Sequence, residues 1–498
     1  MQKSNHHASP FRERTPLSNA NEADKIAVEL LELILGRMTS AKFDAAEIEK
    51  SVAHLEASPQ HKVDLPKADS SVSQTNVAAF ETALRSFHWY LPFDKAARSS
   101  EELDHAKSLA EKVDNYRKTD YWLPLTEYLG DSTVEQRRAW QAARYAHLEA
   151  QRALHQGDFA SVKDNAIYGY QKLSDAPDER LFLNLSARVQ SALALGDKAI
   201  NLAVFLGQWL FNKGKKIGFH MLSANVAYNM GDQLILNGRF DEANHWLIET
   251  EKVATSWPNI RKIGYYKTFA LERKAVVARR RRDLTKARKL LEQFKKEVDA
   301  AKNEKWGNEK KAEILYYQGL GLIYEEDKKH DKAEAAFHQA HSLASAKPTN
   351  GQSKYEDAYN AWAAKTALAC NSLLARQDSA KTLKHLEDAV DVGSQIPGFL
   401  NADRRCTVEI YRAEAFMNNG NDSDAEACLQ RAEELLEAVD SPRLTARKRI
   451  TDAQFLINRG EKAESDQRFD EAEQISAEHG IYNYLEMIKG LRNTDQSS

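Results

Sequence analysis

The strongest constraint in the sequence is the stretch from Tyr317 to Ala340, which reads YQGLGLIYEEDKKHDKAEAAFHQA. Its apolar residues recur with helical periodicity on both sides of a polar turn, and this predicts two short amphipathic helices. Gly321 in the first helix and Ala333 in the second carry almost no side chain, so the two backbones can approach closely, while Phe337 fills the space beside them. A single hairpin of this kind cannot bury its apolar face, so neighbouring copies are expected.

The pattern resembles the tetratricopeptide repeat (TPR), in which an aromatic residue, Leu-Gly, Tyr and then Ala, Phe and Ala recur at these offsets. A second clear copy is YNMGDQLILNGRFDEANHWL, with Gly231 and Ala243 at the two small positions. Weaker copies continue the series, and the clear and weaker copies together recur at steps of 37 to 49 residues, whereas a standard TPR has a period of about 34. Either longer helices or longer turns account for this difference. The resemblance implies an all-α fold, a right-handed superhelix of stacked antiparallel helix pairs, which is a TPR-like α-solenoid.

Changes in composition and periodicity along the chain divide it into six predicted segments. They are a disordered tail (1–20), an N-terminal helical pair (21–56), a linker (57–76), an aromatic-rich helical cap (77–139), the TPR-like repeat array (140–490) and a second disordered tail (491–498). The N-terminal pair is either a tethered docking module or an atypical capping pair folded onto the array. The aromatic residues of the cap are interpreted as core rather than as a binding surface, because large aromatic side chains are mostly buried.

Cysteine usage and hydropathy limit the class of protein. The chain has 3 cysteines and no Cys-x-x-Cys pair, which suits a reducing compartment and a chain without a disulfide framework. No apolar run reaches the ~18 residues of a membrane span, and the N-terminus has no signal-peptide core. We therefore expect a cytoplasmic or nuclear protein that has no membrane partner.

No combination of residue types in the sequence predicts catalysis. Gly319-x-Gly321 partly imitates a dinucleotide loop, but it lacks the third glycine and a preceding strand. Glu334, His338 and His341 share one face of a helix without belonging to a ligand set of established spacing, so a solvated flank is the preferred interpretation. The sequence therefore predicts a protein that is not an enzyme and binds neither a cofactor nor a metal.

In TPR proteins, ligands are usually held by outward positions on the first helix of each repeat. Transferred residue by residue to the two clear repeats, the resemblance gives the following partner-binding positions: Asn225, Tyr228, Asp232, Ile235, Leu315, Gln318, Leu322 and Glu325. The implied function is a non-catalytic protein–protein interaction scaffold that binds a peptide or helix of its partner in a groove. A related hypothesis is a regulatory module whose catalytic partner is a separate chain.

The charge is unevenly distributed. Segment 261–311 carries 18 Lys and Arg against 7 Asp and Glu, and it includes the run Arg279, Arg280, Arg281 and Arg282. A basic patch of this size would attract an anionic partner such as nucleic acid. The alternative is a solvated helix end, where cations are favoured by the helix dipole. A nucleic-acid-associated or regulatory module that uses this segment is therefore the second hypothesis, and nucleic acid is the less favoured partner.

The second clear repeat also resembles the central repeat of a meiosis-specific TPR family that promotes crossing-over during chromosome synapsis. The matching residues are Tyr228, Asn229, Gly231, Ala243, Trp246 and Leu247. This narrower resemblance implies a place in a nuclear or meiotic chromosome complex.

Overall fold

The structure is a computed structural model. It describes residues 71, 73, 77–90, 100–117, 121–156, 158–176, 178–195, 200–258, 263–301, 309–346, 354–375, 379–396, 399–437, 441–479 and 481–495. The predicted tail 1–20 and helical pair 21–56 lie outside these residues, as does the linker 57–76 apart from Ser71 and Ser73.

Twenty helices follow one another in the described part of the chain. The first seven are α1 (Val77–Tyr90), α2 (Ser100–Arg117), α3 (Trp122–Asp131), α4 (Val134–Gln156), α5 (Phe159–Leu173), α6 (Glu179–Leu195) and α7 (Ile200–Lys216). The next six are α8 (His220–Leu236), α9 (Phe240–Ser256), α10 (Ile263–Arg280), α11 (Leu284–Ala301), α12 (Glu309–Glu326) and α13 (His330–Ser345). The last seven are α14 (Lys354–Leu374), α15 (Ser379–Ser394), α16 (Ala402–Asn418), α17 (Asp422–Leu436), α18 (Pro442–Asn458), α19 (Lys462–Glu478) and α20 (Tyr482–Asp495). None of these helices combines the length and the hydropathy that crossing a bilayer requires.

The helices belong to two compact units. Unit 1 comprises Met1–Met230 and Glu249–Tyr266, and unit 2 comprises Gly231–Ile248 and Lys267–Ser498. Every regular element among the described residues of both units is an α-helix. The predicted all-α class is therefore confirmed.

In unit 1, the aromatic-rich cap is a small bundle in which α1, α2 and α3 pack on one another. Phe87 and Trp122 are buried within it, which confirms the interpretation of these aromatic side chains as core. The predicted boundary between cap and array, at residue 140, falls inside α4, because that helix already begins at Val134. The fully buried Trp140 anchors this helix, so no break in the packing marks the predicted boundary.

Unit 2 is a succession of helical hairpins. From α11 to α20 each helix packs on the next, and α12, α14, α16, α18 and α20 also pack on one another in that order. The core is divided into small clusters shared by consecutive helices, such as Ala369, Leu386 and Val408 from α14, α15 and α16. This arrangement, in which each hairpin is stabilised by its neighbours, is typical of helical-repeat proteins. The right-handed course of the array is implied by the TPR resemblance alone and stays a prediction.

Two glycines occupy the tightest positions of their hairpins, as the sequence predicts. A Cβ atom on Gly321 would lie 2.5 Å from Cε1 of Phe337, and a Cβ on Gly231 would lie 2.8 Å from Cδ2 of Leu247. Both distances are well below van der Waals contact, so a larger residue would force the packed helices apart. The prediction that these glycines mark close helix crossings is confirmed.

Five hairpins share one turn, a three-residue connection between their first and second helices. Its middle residue has a positive φ in each case: Gly238 (74°), Arg282 (64°), Lys328 (58°), Gly420 (68°) and Gly460 (78°). The backbone N–H of the following residue donates to a carbonyl in the last turn of the first helix, as in a Schellman motif. Because these turns are short and uniform, the long repeat period comes from the helices and from the connections between hairpins.

The C-terminal end differs from the prediction, because α20 continues to Asp495 and so includes most of the expected tail 491–498. Leu491 packs against the apolar cluster formed by α18, α19 and α20. Arg492 forms ion pairs with Asp470 at 2.5 Å and with Glu473 at 3.0 Å. These contacts stabilise a segment whose local composition alone resembles a tail.

Candidate functional site

In unit 1, helix α8 carries the first two predicted partner-binding residues. Asn225 is partly exposed, and its Nδ2 donates a hydrogen bond to the Tyr266 hydroxyl at 2.8 Å. Asn229, one helical turn further along, donates from Nδ2 to Oδ1 of Asn225 at 3.4 Å. Tyr228 is buried, and its ring centroid lies 5.9 Å from that of Tyr266. We call the two asparagines, Asn225 and Asn229, the amide row, and the Tyr266 hydroxyl holds its first member.

The other two predicted residues of α8 lie in unit 2 and have different environments. Asp232 is partly exposed and forms an ion pair with Arg273 at 3.1 Å. Ile235 is buried and contributes to the core. Tyr228 and Ile235 are therefore core residues, and of the four positions only Asn225 and Asp232 are partly accessible to a ligand.

Helix α12 carries the remaining four predicted residues. Leu315 is partly exposed. Gln318 donates from Nε2 to the backbone oxygen of Asn360 at 3.2 Å, which joins α12 to α14. Leu322 packs against the apolar cluster of the hairpin, so its main contribution is to packing. The fourth residue, Glu325, lies among charged side chains.

The carboxyl group of Glu325 is enclosed by protein. Its Oε2 atom is buried and has no hydrogen-bond partner in the part of the chain that the structure describes. Burial raises the pKa of Glu325 to about 7, because the charged form loses its hydration. The charged groups that face it are Arg279, Glu326, Arg447 and Arg280. The arginines oppose the shift, but burial outweighs them.

The side chains around Glu325 come from α10, α12, α14, α16, α18 and α20. They interact electrostatically with one another, and we call them the inner cluster: Arg280, Glu325, Cys370, Tyr411, Arg443, Arg447 and Tyr484. Burial raises the pKa of the Cys370 thiol to about 12. The neighbouring Cys370 and burial together raise the pKa of Tyr411. The thiol and this phenol are therefore neutral at pH 7, so the net charge of the inner cluster depends on its arginines and on Glu325.

One arginine of the inner cluster is neutralised within unit 2. Nη2 of Arg447 lies 2.6 Å from Oε2 of Glu414. The Thr451 hydroxyl donates to the other oxygen of the same carboxylate at 2.8 Å. A buried ion pair with additional hydrogen bonds of this kind offsets much of the cost of desolvating its charges.

The predicted basic run lies at the end of α10 and in the turn that follows it. Three of its four guanidinium groups form ion pairs inside unit 2. The pairs are Arg279 with Glu326, Arg281 with Asp241, and Arg282 with both Glu326 and Glu486. Arg279 is buried in its ion pair, whereas Arg281 and Arg282 stay partly accessible. The ion pairs therefore indicate a structural role for Arg279, and the arrangement gives no support to nucleic-acid binding.

Two contacts join the first and last parts of unit 2. Arg282, in the turn after α10, forms an ion pair with Glu486 on α20. The backbone of Gly238, in the turn between α8 and α9, lies against the carbonyl oxygen of His479 so closely that a Cβ atom would overlap that oxygen. The inner cluster is consequently lined by helices from both ends of the unit.

Sequence reasoning identified Glu325 and the run that contains Arg280, but it missed Arg443, Arg447 and Tyr484. These three residues lie on α18 and α20, far along the chain from α10. The only feature of the local sequence that could have indicated them is that they are polar or aromatic residues on helices that contact neighbouring helices on two sides. That signal is weak, because partly exposed helix faces carry the same residue types.

Among the described residues, no group of three or more His, Cys, Asp and Glu side chains is arranged to hold a metal ion. Glu334, one of the residues considered for such a site, forms an ion pair with Lys381 at 2.7 Å. His338 lies 3.5 Å from the same carboxylate oxygen. This carboxylate therefore joins α13 to α15.

No family profile and no curated protein matches this chain. Its fold has distant counterparts among solved structures. The apo form of RapI is similar over 79% of this chain and 97% of its own length, at 12% identity and a TM-score of 0.43. A Rap protein complexed with Competence and Sporulation Factor is similar over 89% and 100%, at 10% identity and a TM-score of 0.37. The TPR domain of P58(IPK) is similar over 72% and 99%, at 12% identity and a TM-score of 0.19. All three TM-scores are low, so the assignment of the fold rests on the helix packing of this chain.

Proposed function

We propose that this protein is a non-catalytic scaffold that binds a segment of a protein partner along the first helices of its hairpins. The observation that carries the proposal is the amide row of unit 1. Side-chain amides have both donors and acceptors, and they can pair with the backbone of an extended peptide as a neighbouring strand would. The hydrogen bonds within the row hold Asn225 and Asn229 in fixed orientations, which lowers the entropic cost of binding.

The proposal is tested with the full chain and a randomised peptide library. Peptides selected on the wild-type protein are measured by fluorescence anisotropy against the double variant Asn225→Ala, Asn229→Ala. Each lost hydrogen bond contributes about 1 kcal/mol, so the double variant should bind roughly thirtyfold more weakly. Alanine is a better helix former than asparagine, so α8 should remain folded, which circular dichroism would verify.

The matched control is Asn237→Ala, which removes an exposed asparagine from the turn after α8. This variant should bind the selected peptides as the wild type does. Equal affinities for the double variant and the wild type would overturn the proposal. The failure of any peptide to bind the wild-type chain would also overturn it.

The nuclear location and the role in a meiotic chromosome complex stay predictions from the sequence resemblance. Neither the packing of the described residues nor the solved structures similar to this chain support them. The nucleic-acid alternative also stays a hypothesis, and the internal ion pairs of the basic run count against it.

A further inference from the structure

A pair of histidines lies where α13 meets α15 in unit 2. The rings of His338 and His385 are arranged edge to face, with 6.1 Å between their centroids. His338 is exposed, whereas His385 is buried, with 8% of its surface accessible. Neither ring nitrogen of His385 has a hydrogen-bond partner among the residues that the structure describes. A neutral ring therefore buries one N–H group without an acceptor, and protonation would add a second such group together with a charge.

The charged groups around His385 are mostly positive. Those that face it are Lys365 on α14, His338 on α13, and Lys381 and Asp388 on its own helix. The carboxylate of Asp388 already pairs through Oδ2 with Lys365 at 2.7 Å and through Oδ1 with Lys384 at 3.2 Å. A proton on His385 would therefore meet positive charges from three helices and a carboxylate that two lysines already neutralise.

The surroundings of His385 favour its neutral form. Burial, followed by the positive charges of Lys365, His338 and Lys381, lowers the pKa of His385 to about 4. A histidine in an unfolded chain titrates near pH 6.5. The unfolded chain therefore binds this proton more tightly than the folded chain does, and folding loses stability as pH falls from about 6.5 towards 4. His341 on α13 contributes in the same direction, because burial lowers its pKa as well.

We propose that the contact between α13 and α15 at His338 and His385 is an acid-sensitive joint, which holds two consecutive hairpins together at neutral pH and opens when His385 takes up a proton. The second carboxylate at this contact, Glu334, is engaged by Lys381 at 2.7 Å. Both nearby carboxylates are thus already paired with lysines. The joint goes beyond the proposed peptide function, because it lies in unit 2 and the amide row lies in unit 1.

The joint is tested on the full chain with His385→Phe and His385→Leu. Neither new side chain can take up a proton, and neither variant loses a hydrogen bond from the imidazole, because its nitrogens have no partner in the described part of the chain. The two side chains differ in shape, so an effect that they share comes from the lost titration rather than from a misfit. The matched control is His245→Phe, which replaces an exposed histidine on α9 in unit 2.

Urea denaturation at pH 7.5 and pH 5.0 gives the unfolding equilibrium constant of each protein. From the higher to the lower pH, this constant should rise roughly thirtyfold more in the wild type and the control than in either His385 variant. Other titrating groups, Glu325 among them, are common to these proteins and cancel in the comparison. Hydrogen exchange, corrected for its intrinsic dependence on pH, locates the opening: α13 and α15 should lose protection at pH 5.0 in the wild type and keep it in both His385 variants.

An equal response to acid in the wild type, the control and both His385 variants would overturn the proposal. It would also be overturned if only one of the two variants resisted acid, or if α13 and α15 of the wild type kept their protection at pH 5.0. A loss of stability at pH 7.5 in either variant leaves the test intact, because each protein is compared with itself at the two pH values. None of these outcomes depends on the peptide experiment.

Discussion

The contact between Gly238 and His479 can be tested by Gly238→Ala, which adds a single methyl group at the point of closest approach. Gly238, Gly420 and Gly460 occupy the same position of the same hairpin turn, with φ values of 74°, 68° and 78°. Alanine at any of them would adopt a left-handed conformation that costs roughly 1–2 kcal/mol. Only at Gly238 would the new Cβ overlap a backbone atom, the carbonyl oxygen of His479. No heavy atom of the described residues lies within 4 Å of the Cβ position at the other two glycines.

We therefore expect Gly420→Ala and Gly460→Ala to show the conformational cost alone. Gly238→Ala should lose roughly a further 1–3 kcal/mol, because a backbone atom cannot rotate aside as the end of a flexible side chain does. The contact between the turn and the end of α19 should open. The free energy of unfolding is measured by urea denaturation of the full chain, followed by circular dichroism, with the slope checked for two-state behaviour. If the three alanine variants lose the same stability, the reasoning about the contact between the Gly238 turn and α19 is refuted.

Two further predictions concern Glu325 and the helix crossings. Glu325 has a folded-state pKa of about 7, above its ordinary value of 4.5, so the folded protein binds this proton more tightly and loses stability as pH rises through that interval. Between pH 4.5 and pH 8, the free energy of unfolding of Glu325→Gln should therefore rise by about 3 kcal/mol relative to that of the wild type. Urea denaturation across that range measures the difference. A difference that does not change with pH would contradict the assignment. Gly321→Ala should destabilise the chain by roughly 1–3 kcal/mol, because its Cβ would meet the buried Phe337 ring. Gly490→Ala, in α20 with open space around the Cβ position, should stabilise the chain by about 0.5–1 kcal/mol. Urea denaturation measures both variants, and a change of the same sign in their free energies of unfolding would disprove the packing argument.

The hairpins could be predicted from the sequence because their determinants are local. Gly321 and Phe337 lie within one hairpin, and so do Gly231 and Leu247, so the residue types on two consecutive helices are enough to place them. The sequence left open whether long helices or long turns stretch the repeat. The three-residue turns exclude longer turns within these five hairpins. Residue types alone could not show this, because the turns depend on backbone hydrogen bonds.

The inner cluster could be predicted only in part, because its determinants are distant in sequence. Glu325 was identified by its position in a clear repeat. The partners that give it an unusual environment lie on α10 and α18, and no periodicity within one repeat connects them. The expected tail 491–498 was wrong for the same reason, since Leu491 and Arg492 are held by contacts with α18 and α19.

The ion pair between Arg282 and Glu486 also has a consequence for the order in which the chain folds. Most packing in unit 2 joins consecutive helices, so hairpins can form one after another as the chain leaves the ribosome. The pair between Arg282 and Glu486 spans a long stretch of sequence and cannot form until α20 has been synthesised. Tyr484 lies on that same helix, so the inner cluster is incomplete in every nascent intermediate and is completed only by the final helix.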